Sequence, residues 1–210
     1  MNRLLLLANV TVFAVYWLSS QSLFLDARFA LEIERNFVMY PGEIVQGQRL
    51  FTLFMSMFMH ANWIHLIGNM LYLYVFGDNI EDVLGHVGYL AFYIFCGLTA
   101  AITHIASTTN SADLFSGVVG ASGAISGVLG AYSVLYPKAR VLTLITYVIV
   151  PIPAILLLGF WFVMQWLSVT FNVSGGVAYW AHIGGFITGV VLAFAFGLRR
   201  KKKREARQKL

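Results

Sequence analysis

The sequence predicts an all-α membrane protein, a bundle of six transmembrane helices with a membrane-associated loop between the first two. Hydrophobic residues make up 59% of its 210 positions and charged residues only 11%, whereas soluble domains carry about a quarter charged residues. Six apolar runs approach the ~20 residues that a helix needs to cross a bilayer. They extend roughly over 4–18, 63–76, 87–106, 119–136, 142–170 and 178–198.

The segments around these runs refine the prediction. The apolar stretch 51–59 lies ahead of the short second run and is expected to form an interfacial helix in the loop after the first span. Pro151 and Pro153 interrupt the fifth run, and because proline breaks helices, only part of that run is expected to cross the bilayer. Residues 1–198 thus form one membrane domain, and residues 199–210 form a basic cytoplasmic tail.

Positive charge predicts the orientation, because Lys and Arg concentrate in cytoplasmic loops. Eight of the fourteen Lys and Arg residues lie within 199–209, and with Arg3 they place both termini in the cytoplasm. Lys138 and Arg140 agree, because the loop between spans four and five is cytoplasmic when there are six spans. A basic tail after a hydrophobic helix contacts anionic lipid more often than nucleic acid, so the bilayer is its predicted partner. The compact core favours a multi-pass protein of a bacterial plasma membrane.

The predicted topology brings every polar group of chemical interest to one face of the membrane. Spans two, four and six enter from the outer side, so their first residues lie in the outer half of the bilayer. His65 and Asn69 open span two, Ser122 opens span four and His182 opens span six. Since polar and ionisable side chains are costly in lipid, this convergence indicates a functional site.

Ser122 is the candidate nucleophile, because Gly120 and Gly123 leave room for a substrate backbone and the start of a helix offers free N–H groups. The alternative is packing alone, since Gly123 and Gly127 form the G-x-x-x-G pair that lets helix backbones approach closely. Ser126, one turn further on, competes for the same role, but its hydroxyl is expected to bond back to a helical carbonyl.

His182 is the candidate general base, because imidazole takes up and releases a proton near neutral pH. Gly185 and Gly189 follow it on one helix face and predict close packing against a small-residue neighbour such as span four. The same glycines that suit a packing role would therefore bring His182 toward Ser122.

Span two supplies candidate oxyanion donors. His65 and Asn69 are four residues apart and share one helix face, where both can donate hydrogen bonds; the alternative is that they only join helices. Zinc is not expected, because His60 and His65 are five apart and no H-E-x-x-H motif occurs. Since no carboxylate lies inside spans two, four or six, the sequence predicts a serine–histidine dyad without a metal or other cofactor.

Three motifs in this order resemble the rhomboid intramembrane serine proteases, and the resemblance covers roughly positions 45–198. Residues 120–123 are G-A-S-G and resemble the family's G-x-S-G nucleophile motif. Residues 181–189 resemble its A-H-x-x-G-x-x-x-G base helix, and residues 60–69 resemble its H-x-x-x-x-H-x-x-x-N motif. Each motif is weak alone, but the three together are highly specific.

The resemblance implies a role for each matched residue. Ser122 and His182 form a catalytic dyad, and the Ser122 backbone N–H joins His65 and Asn69 in holding the oxyanion. Three others are structural in the first loop or in the bundle, and these are His60, Arg49 and Glu81.

Two positions depart from the family pattern. The tryptophan of a W-R pair in the first loop is Gln48 here, next to Arg49, which is expected to loosen the anchoring of the loop in the membrane interface. In some members an aromatic residue four positions after the nucleophile stacks on the base. That position is Ser126 in this chain, so His182 is expected to be held differently.

The resemblance also implies the reaction and its substrates. Rhomboid proteases cleave transmembrane helices of other proteins near their outer ends, and helix-breaking residues and a small side chain before the cut favour cleavage. Span five would be the lateral gate, with Phe160, Trp161 and Phe162 as a bulky surface. One alternative is a catalytically silent relative that binds transmembrane helices; another is a small transporter, which needs polar groups across the whole membrane rather than in one half.

Overall fold

The computed structural model describes residues 1–22, 26–173 and 175–208, and this part of the chain is mostly helical. A short 3₁₀ turn covers Ser56–Phe58, and a π-helical turn covers Ala193–Gly197. The helices and strands are α1 Asn2–Ser20, α2 Ala27–Phe37, α3 Pro41–Val45, α4 Thr52–Met55, α5 Trp63–Leu84, α6 His86–Ser107, α7 Ser111–Leu114, α8 Ser122–Leu135, β1 Arg140–Ile145, β2 Val148–Pro153, α9 Ala154–Thr170, α10 Tyr179–Leu192 and α11 Leu198–Gln208.

Length and composition identify the helices that can cross a membrane. Within the described residues, three qualify, namely Asn2–Ser20, His86–Ser107 and the continuous helix Tyr179–Ala206. Two further apolar helices, Ser122–Leu135 and Ala154–Thr170, are shorter. A membrane protein follows from these helices, whereas the count of six spans stays a prediction.

The prediction of an all-α fold is wrong between α8 and α9. Arg140–Ile145 pairs antiparallel with Val148–Pro153, and only Ala154–Thr170 of the predicted fifth run is helical. The two prolines of β2 disfavour a helix, and the β-branched residues of both strands suit a hairpin. Thr146 adopts a φ of +56° at the turn. An apolar run alone does not distinguish such strands from a spanning helix.

The loop between α1 and α5 is hydrogen-bonded to the segment that precedes Ser122. The Met39 N–H donates to the Val118 carbonyl at 3.1 Å, and the Val118 N–H donates back at 2.8 Å. The Gly120 N–H donates to the Ser56 carbonyl at 2.9 Å. The first loop therefore fixes the path of the chain into α8, while its association with the membrane stays a prediction.

Helices α8 and α10 pack with their backbones in contact. A Cβ atom on Gly185 would collide with the carbonyl oxygen of Gly123, and one on Gly189 would collide with the carbonyl oxygen of Gly127. Only hydrogen fits at these two positions, which confirms the predicted close packing of these helices. The contact brings the first turn of α8, where Ser122 lies, close to the first turn of α10.

Side chains fix both ends of α5. Asn62 caps its start, because the Asn62 side-chain oxygen accepts from the His65 N–H at 2.9 Å. Near its other end, Glu81 accepts from the Met1 ammonium group at 2.6 Å and from the Asn2 N–H at 2.7 Å. The Glu81 carboxylate also contacts His86. Glu81 therefore joins α1 to α5 at the end of the bundle opposite Ser122.

The basic segment after α10 continues as the helix α11, and its side chains contact the ends of other helices. Lys201 donates to the carbonyl of Leu135, the last residue of α8, and its ammonium group lies 4.1 Å from the ring centroid of Tyr136. Arg200 donates to the Leu84 carbonyl at the end of α5 at 2.6 Å. Cations at these carbonyls satisfy groups that have no partner within their own helices. The separation of residues 199–210 as a tail stays a prediction.

Lys201→Met is expected to lower the free energy of unfolding by about 1–2 kcal/mol, because it removes a charged hydrogen bond and a cation–π contact. Unfolding of the detergent-solubilised protein by heat or denaturant measures this. Lys202→Met is the matched control, since Lys202 is an exposed lysine on the same helix. Equal losses in the two variants would assign the effect to net charge and contradict a cap at Leu135.

Candidate active site

Ser122 is the first residue of α8, and the chain enters this helix through a turn that requires glycine. Gly120 has a φ of +128°, a conformation that residues with a Cβ rarely adopt. A Cβ atom at Gly120 would also lie 2.8 Å from the His65 ring. Because the first N–H groups of a helix have no intrahelical acceptor, the Ser122 N–H is available close to its own hydroxyl group.

The Ser122 hydroxyl lies 2.8 Å from Nε2 of His182. On its other side, the His182 ring places Nδ1 2.8 Å from Oε1 of Gln165. An amide oxygen only accepts hydrogen bonds, so Nδ1 carries the proton and donates a hydrogen bond to Gln165 Oε1. Nε2 is therefore the acceptor for the Ser122 O–H, which is the arrangement of a nucleophile with its base.

His65 faces the same small space as the Ser122 hydroxyl. The position of a Cβ atom on Gly120 would be 2.8 Å from His65 Nε2 and 3.7 Å from Ser122 Oγ, so both groups border one point. The Ala61 N–H points at His65 Nδ1 at 3.4 Å, a long contact that favours the tautomer with the proton on Nε2. An Nε2–H in this place can donate to an oxygen bound beside Ser122.

Asn69 lies one turn after His65 and is 7% exposed. One N–H of its side chain donates to the His65 carbonyl at 2.9 Å. The amide group has a second N–H, and Asn69 borders the same cavity as Ser122. The structure thus brings together all four side chains that the sequence singles out for the reaction, and their catalytic roles stay predictions.

A cavity of about 260 Å³ opens in front of Ser122 between α5, α8 and α9. Most of its wall is apolar, and the polar groups are few and lie close together, as in sites that bind a ligand and fix its orientation. The residues of the wall that bear on chemistry are His65, Asn69, Ser122, Ser126, Trp161 and His182.

The remaining predicted residues lie outside the immediate site. His60 is fully buried, and its ring meets the His65 ring edge-on at 5.0 Å, so it supports that side chain. Arg49 lies in the first loop and donates to Glu43 at 2.7 Å, while its neighbour Gln48 is exposed. Among the described residues, no group of three or more His, Cys, Asp and Glu side chains is placed to hold a metal ion.

Ser126 does not point toward His182. Its hydroxyl donates to the Ser122 carbonyl at 2.6 Å, and the residue is only 1% exposed. This back-bond to a helical carbonyl confirms the expected fate of the Ser126 hydroxyl, and it leaves Ser122 as the serine that contacts the imidazole.

Two residues of α9 contact His182 although sequence reasoning gives them no such role. Gln165 accepts from the ring, and the Trp161 ring lies 5.7 Å from it at an angle of 37°. The sequence carries one usable signal, since Gln165 is the one amide side chain in the apolar segment 154–170 and Trp161 precedes it by one helical turn. The pattern does not reveal which helix faces α9, so His182 is not identifiable as the partner.

The family model of the Rhomboid domain matches residues 47–199, which is most of this chain. The chain belongs to the rhomboid family. It is 30% identical over 159 residues to Rhomboid protein 1, mitochondrial, of Saccharomyces cerevisiae, which covers 72% of this rhomboid and 43% of the yeast protein. It is 31% identical over 161 residues to Rhomboid protease AarA of Providencia stuartii, covering 72% of this chain and 57% of that protease.

A plant relative has a similar sequence identity to this chain. RHOMBOID-like protein 6, mitochondrial, of Arabidopsis thaliana is 31% identical over 156 residues, which cover 72% of this rhomboid and 45% of the plant protein. This rhomboid therefore spans about half the length of the curated relatives that it matches. The family includes a bacterial protease and proteins described only as rhomboid-like, so membership establishes a membrane protein of this family and leaves the reaction to be proposed.

Proposed function

We propose that this rhomboid is an intramembrane serine endopeptidase that cleaves transmembrane segments of single-pass membrane proteins near their outer ends. The observation that carries the proposal is the 2.8 Å contact between Ser122 Oγ and His182 Nε2 inside an open cavity. A hydroxyl bonded to a neutral imidazole can lose its proton as it attacks a carbonyl carbon.

In the first half of the reaction, Ser122 Oγ forms a bond to the carbonyl carbon of the substrate, and its proton passes to His182 Nε2. The carbonyl oxygen becomes an oxyanion. The Ser122 backbone N–H, His65 Nε2–H and Asn69 side-chain N–H are the proposed donors to it. When the tetrahedral intermediate collapses, the C–N bond breaks and His182 Nε2–H protonates the leaving amine, which leaves an acyl-enzyme on Ser122.

In the second half, water attacks the acyl carbon and gives its proton to His182 Nε2. Collapse of the second tetrahedral intermediate breaks the bond to Ser122 Oγ, and the proton returns to that oxygen. Each half uses the same base and the same oxyanion donors. No metal or cofactor takes part in the proposed mechanism.

The shape of the site and its proposed depth in the membrane support the proposed substrate class. The cavity is walled by apolar side chains of α5 and α8 and by Trp161 of α9, which suits a lipid-soluble segment. A helical peptide bond is shielded by its own hydrogen bonds, so a segment that is locally unwound presents its carbonyl more readily. The proposed topology has six spans with both termini in the cytoplasm. Ser122 then lies near the outer face of the cell membrane, and water reaches it from that side.

The wild-type protein is expected to react with a fluorophosphonate probe and to cleave a model transmembrane substrate. Both are measured on purified protein in detergent, with Rhomboid protease AarA of Providencia stuartii in the same detergent as the active control. If the relative labels and cleaves while this rhomboid does neither, the endopeptidase proposal fails. Binding of the substrate without cleavage would instead identify a catalytically silent rhomboid.

A further inference from the structure

The His182 side chain is held from α9 as well as from its own helix. Its Nδ1–H donates to Gln165 Oε1 at 2.8 Å while its Nε2 faces Ser122. A histidine with only one of its ring nitrogens bonded can rotate or exchange tautomers. The second bond fixes both the plane of the ring and the nitrogen that carries the proton.

The orientation of Gln165 is itself fixed. Its side-chain Nε2–H donates to the Trp161 carbonyl at 3.3 Å, so the amide oxygen is the atom that faces the imidazole. The residue is 9% exposed, whereas many other residues of α9 are exposed, including Phe160 at 67% and Val163 at 51%. An amide that is buried on this helix and bonded to a single imidazole has a specific partner rather than a general polar surface.

Trp161 gives the ring a second support from the same helix. Its ring centroid lies 5.7 Å from that of His182 and 6.0 Å from that of Phe186, so the indole lies against the base and its helix. Ser126 of α8 is too small to stack on the imidazole and bonds to the Ser122 carbonyl instead. The aromatic contact to the base is therefore made by α9.

We propose that Gln165 is the positioning residue for His182 and that Trp161 assists it, so that α9 sets the tautomer and the plane of the base. This inference rests on the proposed endopeptidase function for its kinetic consequence. Gln165 has no contact with the reacting atoms and acts through the imidazole. Its neutral amide takes the place that an acidic residue has in a catalytic triad. The amide oxygen accepts a hydrogen bond from Nδ1–H, so that Nε2 is free to receive the proton of Ser122.

A purely structural role for Gln165 predicts different results. If the amide only joined α9 to α10, its loss would lower stability, and any residue that restored the packing would restore activity. A positioning role requires a hydrogen-bond acceptor at this place. Glutamate supplies one at the same length, whereas leucine fills the space and accepts nothing.

Gln165→Leu is expected to lower kcat for a transmembrane substrate by roughly 10- to 100-fold with little change in KM, because general base catalysis supplies about 10²–10⁴-fold. Gln165→Glu is expected to stay within about threefold of wild type. Ser168→Ala is the matched control, since Ser168 is half-buried on α9 and, among the described contacts, its hydroxyl bonds only back to the Met164 carbonyl at 2.8 Å.

The tautomer of His182 gives a readout that does not depend on activity. The chain has only five histidines, so a nitrogen-15 NMR spectrum of histidine-labelled protein contains the signals of few imidazoles. The signal that is missing from the spectrum of His182→Ala is that of His182. Wild type and Gln165→Glu are expected to show a proton on Nδ1, and Gln165→Leu is expected to show exchange between both nitrogens.

The outcomes separate the two proposals. An unchanged tautomer in Gln165→Leu overturns the positioning role, and so does a folded Gln165→Leu variant with wild-type kcat. Equal losses of kcat in the leucine and glutamate variants also overturn it. If the wild-type protein cleaves nothing, the endopeptidase function is refuted. The positioning role is still supported if His182 has its proton on Nδ1 in the wild type and exchanges it between both nitrogens in Gln165→Leu.

Discussion

Ser122→Ala is expected to abolish cleavage of a transmembrane substrate, with a fall in kcat of at least about 10⁴-fold, because removing the nucleophile of a serine hydrolase has effects of this size. Labelling by a fluorophosphonate is expected to disappear in the same variant. The physical reason is that the hydroxyl 2.8 Å from His182 Nε2 is the one placed to transfer its proton to the base.

His182→Ala is expected to show the same loss while the protein stays folded. The imidazole lies in the cavity wall, whereas the contact of α10 with α8 is made by the backbone at Gly185 and Gly189 and does not need the imidazole. Ser133→Ala is the control on α8, because the Ser133 hydroxyl also bonds back to a helical carbonyl, that of Gly130 at 2.7 Å. It is expected to cleave at the wild-type rate.

Two results would contradict this assignment. Cleavage that survives Ser122→Ala and is lost in Ser126→Ala would assign the nucleophile to Ser126. Unfolding of His182→Ala, measured by thermal denaturation in detergent, would show that the imidazole serves packing and not proton transfer. Each experiment uses the full chain, so the two readings are compared on the same protein.

Gly189→Ala is expected to lower the free energy of unfolding by about 3 kcal/mol, because overfilling a packed contact costs 1–3 kcal/mol and more where neighbours cannot move. The added methyl group would collide with the backbone carbonyl of Gly127, which has no rotamer to change. Helices α8 and α10 would have to separate, and Ser122 would move away from His182. Activity is therefore expected to fall together with stability.

Gly159→Ala on α9 is the matched control for this prediction. A Cβ atom there meets nothing within 4 Å, and alanine favours a helix over glycine by up to about 1 kcal/mol. This variant is expected to be as stable as wild type or more stable. If Gly189→Ala unfolds at the wild-type midpoint, the contact between the backbones of α8 and α10 is not the one that limits stability.

The parts of the site that follow from local sequence could be predicted. A glycine-framed serine, a histidine followed by glycines at four-residue spacing, and His65 with Asn69 on one helix face each carry their meaning within a few residues. The predicted topology puts them at one depth, and the structure brings their side chains to one cavity. Local motifs, the lengths of the apolar runs and the distribution of positive charge are therefore enough to predict the members of the site.

The parts of the fold and of the site that depend on tertiary contacts, or on a choice between strand and helix, could not be predicted from the sequence. The hairpin β1–β2 is as apolar as a spanning helix, so hydropathy does not separate the two. Gln165 and His182 are 17 residues apart and meet because α9 lies beside α10. The contacts of Lys201 and Arg200 with helix ends likewise require knowing which helices end nearby.

The glycine contact between α8 and α10 has a consequence for how this protein can change over generations. The distance between Ser122 and His182 depends on two backbones that touch, and not on the side chains that face outward from them. Ile187 and Val191 on the outward side of α10, and Phe194 in the π-helical turn after it, are about half exposed or more. Substitutions at these positions can adapt the protein to a bilayer of another thickness or composition, and they leave the distance between Ser122 and His182 unchanged.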